Sequence, residues 1–347
     1  LLLALLLSAC QSTGPVIKGP VSGPVTPVDE TPVISPKVAA AAEALTRMAA
    51  MQDRLYKVAA PLLINNAELC KAQARNLLGF TARNRYWYPG EYNEAAHVAF
   101  GMGERLQVTG VLAGSGAARA GLRTGDKLMA VEDKLLPLGA NAEAAARQIL
   151  GPLASSKATV KLTVQRGDAE LVIPVPLTRA CAMRAAFGNA RIVNSYADGN
   201  RVLVTAGLMS LAQSDEELAY VIAKDMAHNI LNHPDKMRMN ATIGGVIDNL
   251  EQVRPDLSMT LGTGGIKPMP QDMDAAADRF SLYLLLRAGY NIDRIGRFWQ
   301  KVADQVPLTV LNGHTALHPS VAYRLASLEK AVDEVKAKQN AKKPLLP

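Results

Sequence analysis

Apolar positions along this chain change period twice, and each change marks a different kind of element. Between Val38 and Ala59, Leu45, Met48, Leu55 and Val58 form one stripe at the spacing of a helix. From Ala99 to Thr178 the pattern shortens to alternation. Leu106 to Leu112, Lys127 to Val131, Thr159 to Gln165 and Glu170 to Val175 predict strands, with a helix from Ala142 to Leu150 among them. Helical spacing then returns, predicting helices over Asp272 to Ala288 with Gly289 just past the end, Ile292 to Gln305 and Pro319 to Lys338. Two stretches carry no period. Residues up to about Asn93 read as irregular, with Tyr86, Trp87 and Tyr88 beside Pro89 and Gly90 as a packing cluster or loop anchor. Residues 235 to 270 are rich in Met and Gly and read either as a mobile lid over a cleft or as surface loop.

The most strongly marked helix runs from Ser214 to His233. Ser214 with Glu217 three residues on makes a capping box, Asp215 and Glu216 place negative charge on the first turn, and Pro234 follows the run. Leu218, Val221, Ile222, Ile230 and Leu231 recur at helical spacing, which predicts burial, yet Lys224, Asp225 and His228 sit in the middle. Lys224 and His228 are i and i+4, so their side chains share a face. Two histidines at that spacing with a glutamate after the first make the zinc-binding HExxH helix, in which the glutamate is the general base. The same frame here reads Lys224-Asp225-Met226-Ala227-His228.

Length, charge and composition narrow the reading. A chain of 347 residues can bury two cores, and 49% hydrophobic residues with only 5% aromatic suits helical packing. The net charge of +7 is partly a C-terminal matter, with Lys330, Lys336, Lys338, Lys342 and Lys343 crowded together. No aromatics interleave with them, so a solvated helix and tail is favoured and a nucleic-acid partner is not expected. No phosphate-binding G-x-x-x-x-G-K loop, C-x-x-C pair or G-x-S-x-G elbow occurs.

The first ten residues, LLLALLLSAC, are apolar but too short to span a bilayer, and Leu7-Ser8-Ala9-Cys10 resembles a bacterial lipobox with Cys10 as the lipidated residue. Gln11 resembles the sorting pattern for the outer membrane. Residues 11 to 37 carry Pro15, Pro20, Pro24, Pro27, Pro32 and Pro36, an extended tether. In an exported protein Cys70 and Cys181 form an even pair, so a disulfide between them is expected.

From Asn194 to Arg324 the chain is similar to peptidase family M48, the HtpX-like gluzincin zinc metallopeptidases. Four blocks carry the resemblance: NSYADGNRVLVTAGLM (Asn194 to Met209), the degenerate HExxH frame, DAAADRFSLYLLLRAGY (Asp274 to Tyr290), and His318-Pro319-Ser320 with Arg324. The resemblance implies that His228 and Asp274 stand at metal-ligand positions, with Lys224 at a lost one. Asp225 stands at the position of the base and His318 at that of a histidine near the active site. Asp278 and Arg324 would orient the ligands from behind. Asp274 and Asp225 each replace a glutamate and fall short of it by roughly 1 Å, when catalytic groups need placement within about 0.5 Å. Two readings of Lys224 stay open: an ammonium pairing with Asp274 or Asp225 where a metal would sit, or a side chain reaching the surface. Ligation by His228, His318 and Asp274 also stays open.

Gly114 to Lys134, GSGAARAGLRTGDKLMAVEDK, is similar to the HtrA-type PDZ signature, with Gly121, Gly125 and Asp126 at its turns. A PDZ domain adds an extended peptide to its sheet edge, and Phe100-Gly101-Met102-Gly103 resembles the loop that receives the peptide carboxylate.

These readings combine into an α+β protein: a mainly helical gluzincin-like metallopeptidase domain with a small sheet, plus an inserted PDZ domain of β-sandwich or barrel-like form. The expected boundaries are 1–10 for the end of a lipoprotein signal peptide, 11–37 for the tether and 38–95 for the N-terminal helical part. They continue with 96–178 for the PDZ domain, 179–338 for the peptidase-like domain and 339–347 for the tail. The function expected is a pseudoprotease or adaptor that binds peptide or unfolded segments of envelope proteins, held by its lipid anchor at the periplasmic face of the outer membrane. The alternative is an active zinc-dependent metalloendopeptidase of envelope quality control with a variant ligand set, zinc being its cofactor only in that case.

Overall fold

The long apolar stripe near the start folds as α1 (Pro36–Asn65), which buries Leu45, Leu55, Val58, Leu62 and Leu63 and runs on past Ala59. The computed structural model describes residues 34–260, 262–305 and 321–347. Contacts divide the chain into two units, Leu1–Ser35 and Pro36–Pro347.

After α1 come β1 (Ala74–Leu77), β2 (Phe80–Arg83) and α2 (Glu91–Phe100), in a stretch expected to be irregular. Their signals are short: β2 has four half-buried residues, and α2 buries only Ala95 and Ala96. The chain continues through β3 (Gln107–Val111), α3 (Gly116–Arg119), β4 (Lys127–Val131), β5 (Lys134–Leu135), α4 (Ala142–Ser156), β6 (Thr159–Arg166) and β7 (Ala169–Pro176). The sheet they make has the order β2-β3-β4-β6-β7, with β5 paired to β4. Alternation along β6 turns Val160, Leu162 and Val164 inward onto a core shared with Ala142 and Ala146 of α4. Gly110 on β3 leaves room for Tyr56 of α1, since a Cβ there would come within 2.5 Å of its ring.

β8 (Thr178–Cys181) then pairs antiparallel with β1, Ala74 opposite Cys181 and Leu77 opposite Thr178. Cys70 and Cys181 are disulfide-bonded with Cα atoms 5.5 Å apart. The two strands make a neck through which the chain enters and leaves the sheet unit. That unit therefore starts upstream of the expected boundary at 96, because β2 belongs to its sheet.

β9 (Arg184–Gly188), β10 (Ser195–Ala197) and β11 (Arg201–Thr205) form a small sheet of order β10-β11-β9. β11 runs parallel to β9 with Leu203 beside Ala186, and antiparallel to β10 with Leu203 beside Tyr196. The helices that follow are α5 (Ala206–Leu211), α6 (Asp215–Ile230), α7 (His233–Lys236), α8 (Asn240–Leu250), α9 (Gln271–Arg287), α10 (Ile295–Gln305) and α11 (Val321–Asn340). α8 corrects the expectation of a loop over 235 to 270. Its buried Ile243, Val246, Ile247 and Leu250 have helical spacing, but Gly244 and Gly245 interrupt the signal in the sequence.

The main core gathers Leu55 and Leu62 of α1, Val221 and Ile222 of α6, Leu282 and Leu285 of α9, Phe298 and Trp299 of α10, and Leu328 and Val335 of α11. The architecture is α+β. Among the described residues no helix is long and apolar enough to cross a membrane.

Candidate functional site

α6 crosses the core with both ends held. Ser214 Oγ accepts from the Glu217 N–H at 3.1 Å, and Glu217 Oε2 accepts from the N–H groups of Gln213 at 2.7 Å and Ser214 at 3.5 Å. At the other end the helix stops at Ile230, ahead of Pro234, because Asn232 takes a left-handed φ of +58°. That turn folds His233 back, so that its Nδ1 lies 3.0 Å from Nδ1 of His228. One of the two nitrogens must carry the proton.

The mid-helix polar residues all point inward: Lys224 is 2% exposed, Asp225 5% and His228 2%. α9 packs on α6 and presents Asp274 and Asp278, one helical turn apart and both buried. Lys224 Nζ lies 2.7 Å from Asp274 Oδ1 and 3.3 Å from Asp278 Oδ1. Of the two arrangements left open by the sequence, the ammonium is the one that faces carboxylates inside the core, and its closest partner is Asp274. His228 Nε2 lies 3.5 Å from the same Asp274 oxygen.

Behind Asp278, Arg324 of α11 donates a two-pronged pair of hydrogen bonds, Nε to Oδ2 at 2.8 Å and Nη2 to Oδ1 at 2.9 Å. Its guanidinium carbon sits 3.4 Å from the centroid of the Trp299 ring, on α10. The same ring lies 5.4 Å from Lys224 Nζ. Four helices thus converge on one buried ionic cluster. Trp299 carried no sequence signal for this role, since an aromatic in an amphipathic helix reads as core.

Asp225, the next residue, is turned about 100° from Lys224 around the helix axis. Together with His228 it lines a cavity of about 50 Å³ whose other walls include Ser195 and Tyr196 of β10, Met237, Met239, Ile243, Ile266 and Met269. Burial pushes its carboxyl up to about 6, with Asp274 adding to the effect and His228, Ser195 and Lys224 opposing it. Burial, and then the nearby His228, pull His233 down to about 4.

Residues 100–103 and the Cys70–Cys181 pair do not join this cluster. Residues 100–103 follow a helix rather than an irregular stretch: Phe100 ends α2 and Gly101 caps it in the left-handed region. The Gly101 N–H donates to His97 O at 2.8 Å and the Met102 N–H to Ala96 O at 3.4 Å. Those two N–H groups are used in capping the helix. Cys10 and His318 lie outside the described residues.

The fit to zinc can be tested on the donor set. Catalytic zinc takes three protein ligands and keeps a position for water. Among the described residues no group of three or more His, Cys, Asp or Glu side chains is placed to hold a metal. At the centre of the cluster a lysine ammonium lies against the carboxylate oxygen that a metal would need. The described residues do not fit a catalytic zinc.

Residues 182–332 match peptidase family M48. The match spans β9 to α11 and contains α6 and α9. A curated relative, the mitochondrial metalloendopeptidase OMA1 of Schizosaccharomyces pombe, is 23% identical over 148 residues, 41% of this chain and 44% of the relative. The chain therefore spans less than half the length of the curated relative it matches. The M48-like domain is the part of the molecule that holds the Lys224 cluster and the Asp225 cavity.

Proposed function

We propose that the protein is a non-hydrolytic member of the metallopeptidase-like proteins, binding extended peptide segments rather than cutting them. One observation carries this reading: Lys224 Nζ, buried and 2.7 Å from Asp274, stands where a metal ligand would be and serves as the cation itself. The Lys224 ammonium together with the Arg324 guanidinium balances the two carboxylates without acidifying a water, so the step that zinc performs in hydrolysis has no agent here. Peptide would lie along β10, the outer strand of the small sheet, whose residues line the Asp225 cavity.

In the same reading the six-stranded unit is a PDZ-like domain that offers a second edge, β2. A lipidated Cys10 would hold both units at the periplasmic face of the outer membrane, where unfolded segments of envelope proteins are the partners.

A second reading is favoured by His228, whose Nδ1 is braced by His233 while Nε2 turns toward Asp274, the posture of a metal-ligating histidine. It makes the protein a zinc-dependent endopeptidase with His228 and Asp274 on the metal and Asp225 as base. Elemental analysis of the purified full chain separates the two. The expected result is no zinc after dialysis and a fold indifferent to chelator. Stoichiometric zinc with chelator-sensitive proteolysis would install the second reading instead.

A further inference from the structure

A second cavity, of about 360 Å³, opens where α1 meets the sheet unit. Asp53, Tyr56 and Lys57 of α1 line one wall, and Val111, Leu122 and Arg123 belong to the other. The volume lies at the small end of the range for small-molecule sites, roughly 300 to 1,000 Å³, and such sites favour the seams between units. This seam is held by Tyr56: its ring packs over Gly110, where a Cβ would come within 2.5 Å of it, and its hydroxyl hydrogen-bonds Thr81. Opposite charges line the cavity without meeting. Among the described residues neither the Asp53 carboxylate nor the Arg123 guanidinium has an ion-pair or hydrogen-bond partner. Lys57, one helical turn from Asp53, is already held by Asp215 at 3.1 Å. Asp53 stays open to solvent, yet desolvation still pushes its carboxyl above the ordinary value. An anion and a cation on different walls, with no bridge between them, fit a ligand that carries both charges.

We propose that the seam cavity binds a small zwitterion, an amino acid or dipeptide with an apolar side chain, its ammonium on Asp53 and its carboxylate on Arg123. A guanidinium takes a carboxylate in two parallel hydrogen bonds, and a compact ammonium suits the carboxylate on the other wall. Tyr56, Val111, Ala113 and Leu122 supply apolar surface for the side chain. A purely anionic ligand would meet Asp53, and a purely cationic one Arg123 and Lys57, so like charge selects against both. The site is built from α1 and the sheet unit alone, and it stands whether or not β10 binds peptide.

The test is ligand-observed NMR on the full chain with leucine and leucylleucine, each in three forms: the free zwitterion, the N-acetyl form that lacks the ammonium, and the C-terminal amide that lacks the carboxylate. The zwitterion is expected to bind roughly tenfold more tightly than either singly charged form, the worth of one charge-assisted hydrogen bond. Asp53→Asn should erase the gap between the zwitterion and its N-acetyl form while keeping the gap to the amide. Arg123→Gln should do the reverse. The gap that survives in each variant shows that the variant is folded, and a merely structural role for either residue would not produce the crossed pattern.

Whichever of leucine and leucylleucine binds more tightly sets the ligand's length, and either supports the site. Equal binding of the three forms would overturn the zwitterion. Both gaps persisting in both variants would overturn Asp53 and Arg123 as the anchors. No binding by any probe would overturn the site itself.

Discussion

Replacing Lys224 by methionine tests the claim that an ammonium has taken over the structural work at the centre of the M48-like domain. The side chain keeps most of its volume, so packing changes little, but the Asp274 carboxylate loses the cation 2.7 Å away in a fully buried position. Asp278 also loses a contact at 3.3 Å but keeps the two hydrogen bonds from Arg324. Breaking a buried pair on one side costs about 3 to 5 kcal/mol, because the remaining charge is stranded. For a folded unit of this size each kcal/mol moves the melting temperature by about 2 to 4 °C, so Lys224→Met should melt on the order of 10 °C lower. Asp274→Asn alone should cost less, since Lys224 then still faces Asp278. The double variant Lys224→Met with Asp274→Asn removes both charges and should recover at least about 2 kcal/mol relative to the sum of the single changes. Urea unfolding followed by circular dichroism measures all three. A loss under about 1 kcal/mol in Lys224→Met, or strict additivity in the double variant, would refute the reasoning.

Asp225 and His233 make opposing contributions to stability below neutral pH. The folded pKa of Asp225 is raised from 3.8 to about 6, so its ionisation penalises the fold increasingly as pH rises from about 4 to 6 and constantly above that, by about 3 kcal/mol. His233 is lowered from 6.5 to about 4, so the stability it contributes is present above pH 6.5 and lost as pH falls toward 4. Asp225→Asn should therefore be more stable than the parent at pH 7.5, with the gap closing by pH 4; parallel curves of unfolding free energy would contradict this. Restoring the metal-binding frame with Lys224→His, Asp225→Glu and Asp274→Glu should give a chain that holds about one zinc after dialysis, read by elemental analysis, where the parent holds none. Equal zinc in both would show that the parent ligates metal already. Cys70→Ser with Cys181→Ser opens a loop of 111 residues, for which chain entropy gives an upper value of about 4.7 kcal/mol, and chemical unfolding without reductant should show a loss of about 2 to 4 kcal/mol. An unchanged midpoint would mean that the neck is held by β1 and β8 alone.

Much of this was legible in the chain because it rests on local spacing. The capping box at Ser214 and Glu217 is a three-residue relation, and it appears in the structure at both of its hydrogen bonds. The strands β4, β6 and β7 follow alternation that burial enforces, and α9 and α10 follow amphipathic periods. Where the local signal is short or interrupted, reading failed. α2 buries only two alanines, too few for its period to show in the sequence. α8 was hidden by Gly244 and Gly245, although its apolar residues keep helical order.

By itself, then, the sequence determined that α6 is a buried helix carrying Lys224, Asp225 and His228 on an altered metallopeptidase frame, because residue type and i, i+4 spacing are properties of one segment. Only the tertiary structure decided what those side chains do. Lys224 could have met Asp274, Asp225 or water, and the choice was made by the packing of α9 against α6. Arg324 and Trp299 joined from helices far along the chain, and His233 came back on His228 through the left-handed turn at Asn232. Asp225, one residue from Lys224, was turned around the helix and lines a cavity. Adjacent residues on a helix point about 100° apart. What lies in each of those two directions is set by the rest of the fold.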